Sequence, residues 1–156
     1  ASKEASGTSN MKFMLNGALT VGTYDGANVE IHEAVGDDNI FVFGMRTPEV
    51  NELRIKGYHP ENYINGNQVI SDAMQRMYNG INGATFEEVA NSIKYKDFYM
   101  ALADFDSYRG TQQYISEVYK NAEEWNRKSL FNIAGAGRFS ADRAVTEYAK
   151  DIWHLD

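Results

Sequence analysis

The chain has 156 residues, 43% of them hydrophobic, with no cysteine and a net charge of −7 from 15 basic and 22 acidic side chains. That size and composition describe about one core-forming domain and exclude a disordered polyelectrolyte. The absence of cysteine removes disulfides, thiolate metal ligands and cysteine nucleophiles, and the acidic balance argues against a nucleic-acid surface.

Near the start, Thr8, Ser9 and Asn10 are three consecutive residues of N-capping type. Residues 11–15 are good helix formers and Gly17 is a natural stop. A short helix is therefore expected, with residues 7–10 as its mouth and their unpaired N–H groups pointing outward. Residues 19–23 and 40–43 are rich in β-branched or aromatic types, and residues 27–35 between them read as a helix ending at Gly36. Strand, helix and strand at this spacing form a βαβ unit, so the two strands should be parallel neighbours with a right-handed crossover. Two strands alone make a poor sheet, so the rest of the sheet is expected outside this chain.

The remaining two-thirds reads as helical. Thr47-Pro48-Glu49 is a helix start with Thr47 as cap, Thr85-Phe86-Glu87-Glu88 fits a capping box, and Asn121-Ala122-Glu123-Glu124 fits the same pattern. A last helix opens at Ser140 and places Ala144, Val145, Tyr148, Ala149, Ile152 and Trp153 on one stripe. Asn65-Gly66-Asn67 and residues 79–83 are loop candidates. The fold class is thus α/β, with two parallel strands in a βαβ unit followed mostly by α-helices. The longest uncharged stretch, residues 13–24, has 12 residues, short of the roughly 20 that a membrane span needs. No signal peptide is expected at Ala1-Ser2-Lys3-Glu4, and a first residue other than Met points to a piece of a longer polypeptide.

The helix mouth carries the chemistry. Such a mouth suits an anion, phosphate above all, and Gly7 lets a ligand approach the backbone closely. Lys12 is placed in the first turn, where the macrodipole disfavours a cation by up to about 1 kcal/mol. A bound phosphate, or conversion of the amine to an imine, would remove that conflict. Half-burial beside a positive helix end would lower the amine pKa, as imine formation requires. A phosphate mouth with an activated lysine is what a pyridoxal phosphate site needs. The same features also fit a solvated lysine on an ordinary capped helix, and no G-x-G-x-x-G or Walker pattern is present.

Other polar residues read as structural. His32, His59 and His154 lack metal-ligand spacing, so no metal site is expected. Asp104 and Asp106, near Tyr108, read as a solvated helix start, and Glu30 and Glu33 as exposed residues of the βαβ helix. The aromatic residues read as core and domain-interface packing.

The run Glu4-Ala5-Ser6-Gly7-Thr8-Ser9-Asn10-Met11-Lys12 closely resembles the pyridoxal phosphate lysine motif of the glycogen, starch and maltodextrin phosphorylases. The resemblance continues through residues 16–23, 25–30 and 43–46. It reaches the end more sparsely, in Tyr119-Lys120-Asn121 with Glu124-Trp125, in Asn132-Ile133-Ala134, in residues 137–143 and in Ile152-Trp153. It implies that residues 1–156 are a C-terminal fragment of the cofactor-binding, Rossmann-like domain of a glycosyltransferase type-B architecture, including its C-terminal helices. The N-terminal domain and the first part of this domain would be absent.

The resemblance also implies an activity: α-1,4-glucan and inorganic phosphate give glucose 1-phosphate and a shortened glucan, in a cytoplasmic enzyme that is a homodimer at full length. Carried over by position, Lys12 would hold pyridoxal 5′-phosphate as a Schiff base. Gly7, Thr8 and Ser9 would hold the cofactor phosphate, and Glu4, Ser6 and Gly7 would bond hydroxyls of the reacting glucose. In this family the cofactor phosphate relays a proton with the substrate phosphate. The family usually has glycine where this chain has Ser9; serine is harmless there if its φ is negative. The isolated chain is expected to be inactive. Two further readings stand beside this one: a non-catalytic helical module that self-associates or binds phosphate, and a pyridoxal phosphate enzyme of the aminotransferase type.

Overall fold

The computed structural model describes residues 7–155. In chain order the elements are α1 (Gly7–Leu15), β1 (Val21–Gly22), α2 (Ala27–Val35), β2 (Phe41–Val42), α3 (Thr47–Lys56), α4 (Pro60–Gly66), α5 (Gln68–Asn79), α6 (Glu87–Tyr95), α7 (Ala101–Lys120), α8 (Ala122–Gly135) and α9 (Ala141–Glu147). Among the described residues the chain is mostly helical with one two-stranded sheet, which is compatible with the α/β class.

The βαβ unit forms as its sequence dictates. Helix α2 occupies residues 27–35 and ends at Gly36, whose φ is 78°. The strands are parallel, Val21 beside Phe41 and Gly22 beside Val42. Each is only two residues long, shorter than the runs that suggested them. The ladder stops after β1 because the chain turns there: the Asp25 N–H donates to the Thr23 carbonyl (3.0 Å), and so does the Asn28 side-chain amide (3.0 Å). Ile31 and Val35, one turn apart on α2, meet Met14 of α1, Ile40 and Ala136 in a buried cluster.

A second buried cluster gathers Ile70 and Met74 of α5 with Ala90 of α6, covered by side chains of α4 and by Leu102 and Phe105 of α7. Helix α7 reaches from this cluster to the sheet, where Tyr114 meets Phe41 edge-on with ring centroids 5.9 Å apart. Polar tethers fasten α8 to the loop after α2. The fully buried Asn132 amide donates to the Asn39 carbonyl (2.8 Å) and to the Lys128 carbonyl (3.0 Å), and the buried Lys128 amine donates to the Asp38 carbonyl.

Two helix starts form as read. The Asn121 side chain accepts from the Glu124 N–H (3.2 Å) and that of Ser140 from the Arg143 N–H (3.2 Å). Others differ. Thr47 is the first residue of α3 rather than its cap; Arg46 holds the cap position, and its N–H donates to the Glu49 carboxylate at 2.7 Å. The Thr85 capping box does not form: Phe86 is the cap of α6, with no side-chain cap bond. The Phe86 N–H is instead taken by the Met77 carbonyl (3.1 Å), so a contact with α5 sets where α6 begins. Asn65 and Gly66 finish α4, whereas Asn67 caps α5 by accepting from the N–H groups of Val69 and Ile70.

Asp104 is buried rather than solvated. It lies in the first turn of α7, a helix start as expected, and accepts from the Met45 N–H at 2.8 Å, a partner 59 residues away that no local pattern reveals. Asp106 is exposed and accepts from the Asn67 amide at 2.9 Å. After α9 the helix widens into a π turn over Tyr148–Ile152. The expected stripe is present but faces outward: Val145, Tyr148, Ile152 and Trp153 are all exposed. No helix among the described residues is long and apolar enough to cross a membrane.

Candidate functional site

Helix α1 is held by its inward face. Met14 is fully buried against α2 and α8, and the Ser129 hydroxyl donates to the Gly17 carbonyl (2.7 Å) just past the helix end. One turn back, Gly7, Asn10 and Met11 face the protein, while Thr8, Ser9, Lys12 and Phe13 are exposed. This division follows the 3.6-residue period of the helix.

The start of α1 lies directly against the start of α2. A Cβ placed on Gly7 would sit 2.2 Å from the Ala27 Cβ, so no side chain larger than hydrogen fits there without parting the two helices. The Asn10 amide donates to the Asn28 side-chain oxygen (2.9 Å), joining the first turns of both helices. Asn28 is 1% exposed, and its own amide reaches the Thr23 carbonyl at 3.0 Å. It lies so close to β1 that a Cβ on Gly22 would come within 2.5 Å of its Nδ2. The starts of the two helices, each carrying a partial positive charge, thus lie side by side.

Thr8, Ser9 and Asn10 are helical residues in the first turn of α1, not caps ahead of it. Residues 7–10 are the first turn of α1, so their N–H groups have no acceptor within α1 itself. Ser9 is absent from the residues with positive φ, so serine is accommodated at this position without backbone strain. Lys12 departs from expectation in two respects. It lies in the second turn, because the helix already includes Gly7, and it is exposed rather than half-buried. Glu4 and Ser6 lie outside the described residues. Thr8 and Lys12 are separated by four positions, which brings them to the same side of the helix about 6 Å apart at Cβ.

The donor set on this face consists of first-turn N–H groups, the Thr8 and Ser9 hydroxyls and one primary amine. It matches a phosphorylated aldehyde: the donors suit the phosphate and the amine suits the carbonyl. The residues present therefore fit pyridoxal phosphate. Asn28 and the Gly7–Ala27 contact were not legible as parts of this site. Their one signal is an asparagine at the second position of α2, where it is not needed as a cap.

Elsewhere, the three histidines have structural surroundings or are exposed. His32 pairs with Asp37 at 2.5 Å and meets Tyr24 edge-on, and the Arg46 guanidinium lies 3.8 Å from the Tyr24 ring centre. His59 precedes α4 and His154 is exposed near the end. Glu30 is exposed, and Glu33 reaches Arg138 at 2.8 Å. No group of three or more His, Asp or Glu among the described residues is arranged to hold a metal ion. The buried Asp97 accepts from the Tyr58 hydroxyl and from the N–H groups of Ala101 and Leu102 (both 2.9 Å), fastening the start of α7.

A profile described as carbohydrate phosphorylase matches residues 1–155. The glycogen phosphorylase of Synechocystis sp. is 45% identical over 159 residues, covering 99% of this chain and 19% of that protein. The muscle form of glycogen phosphorylase from Rattus norvegicus is 43% identical over 160 residues, and the human brain form 41% over 160 residues; each covers 100% of this chain and 19% of the relative. The chain therefore spans about a fifth of the length of these relatives.

Proposed function

This chain belongs to the carbohydrate phosphorylase family, and from that premise we propose that it is the cofactor-carrying segment of an α-1,4-glucan phosphorylase. The observation that carries the proposal is the open face of α1, which presents first-turn N–H groups, Thr8, Ser9 and Lys12 together. The segment would be the C-terminal part of a Rossmann-like domain, its two strands the end of a larger parallel sheet. The remaining four-fifths of the parent would supply the rest of that domain, the N-terminal domain and the ligands of the substrate phosphate. The parent would be a cytoplasmic homodimer acting on glucan and inorganic phosphate.

In this reading Lys12 anchors pyridoxal 5′-phosphate through its amine. Gly7, Thr8 and Ser9 receive the cofactor phosphate with backbone N–H groups and hydroxyls, and Glu4, Ser6 and Gly7 orient the reacting glucose by hydrogen bonds. Bound there, the cofactor supplies a phosphate able to exchange a proton with the substrate phosphate, since two phosphates held close cannot both remain fully ionised. The helix mouth preorganises the donors, because Gly7 and Asn10 are fixed against α2 before any ligand arrives. The exposed position of Lys12 leaves its amine accessible.

The test is to add pyridoxal phosphate to the chain and to the full-length parent, reduce with borohydride and map the modified peptide. Labelling of the parent confined to Lys12, with release of glucose 1-phosphate from glucan and phosphate, is expected. A parent that labels at other lysines or releases no glucose 1-phosphate would sink the assignment. The isolated chain is expected to show no turnover. A second reading, self-association of the isolated chain, draws on exposed apolar side chains including Phe13, Leu15, Leu130, Ile152 and Trp153. A molar mass independent of concentration would count against it.

A further inference from the structure

We propose that Asn28, through Asn10, is a positioning residue that aims the phosphate mouth of α1; this rests on the cofactor reading above. Three observations support it. Asn28 is 1% exposed and belongs to α2, yet its side-chain oxygen accepts from Asn10 in the first turn of α1 at 2.9 Å. Its amide nitrogen is itself fixed, donating to the Thr23 carbonyl at 3.0 Å and lying where only a glycine at position 22 leaves room. The bond therefore runs from a rigid strand-to-helix turn to the turn of α1 that carries Thr8 and Ser9.

The two ends of α1 are held by different means. Met14 anchors the second half by apolar burial, and the Ser129 hydroxyl fixes the Gly17 carbonyl just past the helix end, about two turns from Thr8 and Ser9. A hydrogen bond is directional. The Asn10–Asn28 bond therefore sets the rotation of the first turn about the helix axis, and with it the direction of the Thr8 and Ser9 donors. It also holds together two helix starts whose partial positive charges repel. Lys12 lies a turn further on, beside the Met14 anchor, so loss of the bond disturbs phosphate capture more than amine attachment.

The experiment compares pyridoxal phosphate with pyridoxal, which lacks the phosphate, on the cofactor-free full-length parent. Affinity is read by borohydride trapping at Lys12 with peptide mapping. Wild type should favour pyridoxal phosphate. Asn10→Ala, which places a good helix former at a half-buried position, and Asn28→Ala should each cut that preference about tenfold, with pyridoxal binding nearly unchanged. The double variant should be no worse than the single ones, because both remove the same link. The phosphorus NMR signal of the reduced, Lys12-linked cofactor should shift in both variants. A merely structural role would weaken both ligands equally or leave the preference intact in the well-folded Asn10→Ala variant, and either result overturns the proposal. A wild type with no preference for pyridoxal phosphate over pyridoxal overturns the cofactor reading itself, and this inference with it.

Discussion

Substituting Gly7 by alanine tests how the mouth of α1 is built. The added methyl would meet the Ala27 Cβ at 2.2 Å, with the Ala27 Cα at 3.6 Å and the Met11 Cε at 3.6 Å. Carbon atoms in ordinary contact sit about 3.5–4.0 Å apart, so the helix starts must part by roughly 1.5 Å. Neither methyl can rotate away, so the strain falls on the backbone. Overpacking of this kind costs about 1–3 kcal/mol. Alanine returns up to about 1 kcal/mol of helix propensity, less in a first turn. The net expectation is a loss of about 1–2 kcal/mol, or a Tm lower by about 2–8 °C for a chain of this size. Parting the helices by that distance also breaks the aim of the first-turn N–H groups. Pyridoxal phosphate affinity of the full-length parent should fall by about tenfold or more. Ala27→Gly in the same chain leaves the Ala27 Cα position, at an acceptable 3.6 Å, as the nearest atom on α2. The double variant should therefore recover most of both losses. Thermal unfolding monitored by circular dichroism, with affinity by trapping at Lys12, gives both readings. Unchanged stability and affinity in Gly7→Ala, or a double variant no better than the single, would refute the close-approach argument.

Lys12→Ala should abolish specific labelling by pyridoxal phosphate while changing stability by less than about 0.5 kcal/mol, because the side chain is exposed; denaturant melts and peptide mapping check the two halves. Burial, and then the hydrogen bond and charge of Asp97, raise the Tyr58 phenol above its ordinary pKa of 10.0. A raised pKa means that the folded state favours the protonated phenol. Its contribution is complete below about pH 10 and declines as pH rises further. Tyr58→Phe should lower stability by about 1 kcal/mol at neutral pH and lose less than wild type between neutral pH and pH 11, as read by urea melts. Asn132→Leu removes both amide bonds of a fully buried side chain and leaves the Asn39 carbonyl short of a donor. It should cost about 1–3 kcal/mol in the same assay.

What could be read from the sequence was local. Helix α2 is bounded by Gly26 and Gly36, and its period puts Ile31 and Val35 on one face, so its limits followed from punctuation and pattern alone. Asn121 and Ser140 cap helices through N–H groups only three residues on, within the reach of a local pattern. Thr85 failed because the Met77 carbonyl draws Phe86 into the cap position. Asp104 failed because its partner, Met45, is 59 residues away. At the candidate site, residue types and spacing pointed to the mouth and to Lys12. The contacts that orient the mouth join positions 18 to 20 apart, Asn10 with Asn28 and Gly7 with Ala27, and they exist only once α1 has docked on α2. The outward apolar stripe after Ser140 was legible as a pattern, but its period could not say which side the chain itself would cover.

The two buried clusters have a consequence for how this molecule opens. Helix α1 rests on one cluster, and α4, α5 and α6 on the other; α7, a 20-residue rod about 30 Å long, gives Leu102 and Phe105 to the second and reaches Phe41 of the sheet through Tyr114. Protein interiors divided in this way unfold by parts, each with its own free energy. Amide protons of α5 and α6 will therefore exchange with solvent in a separate sub-global event from those of α2 and α8. Thermal or chemical stress on the distal helices can melt that half and leave α1 and α2 standing.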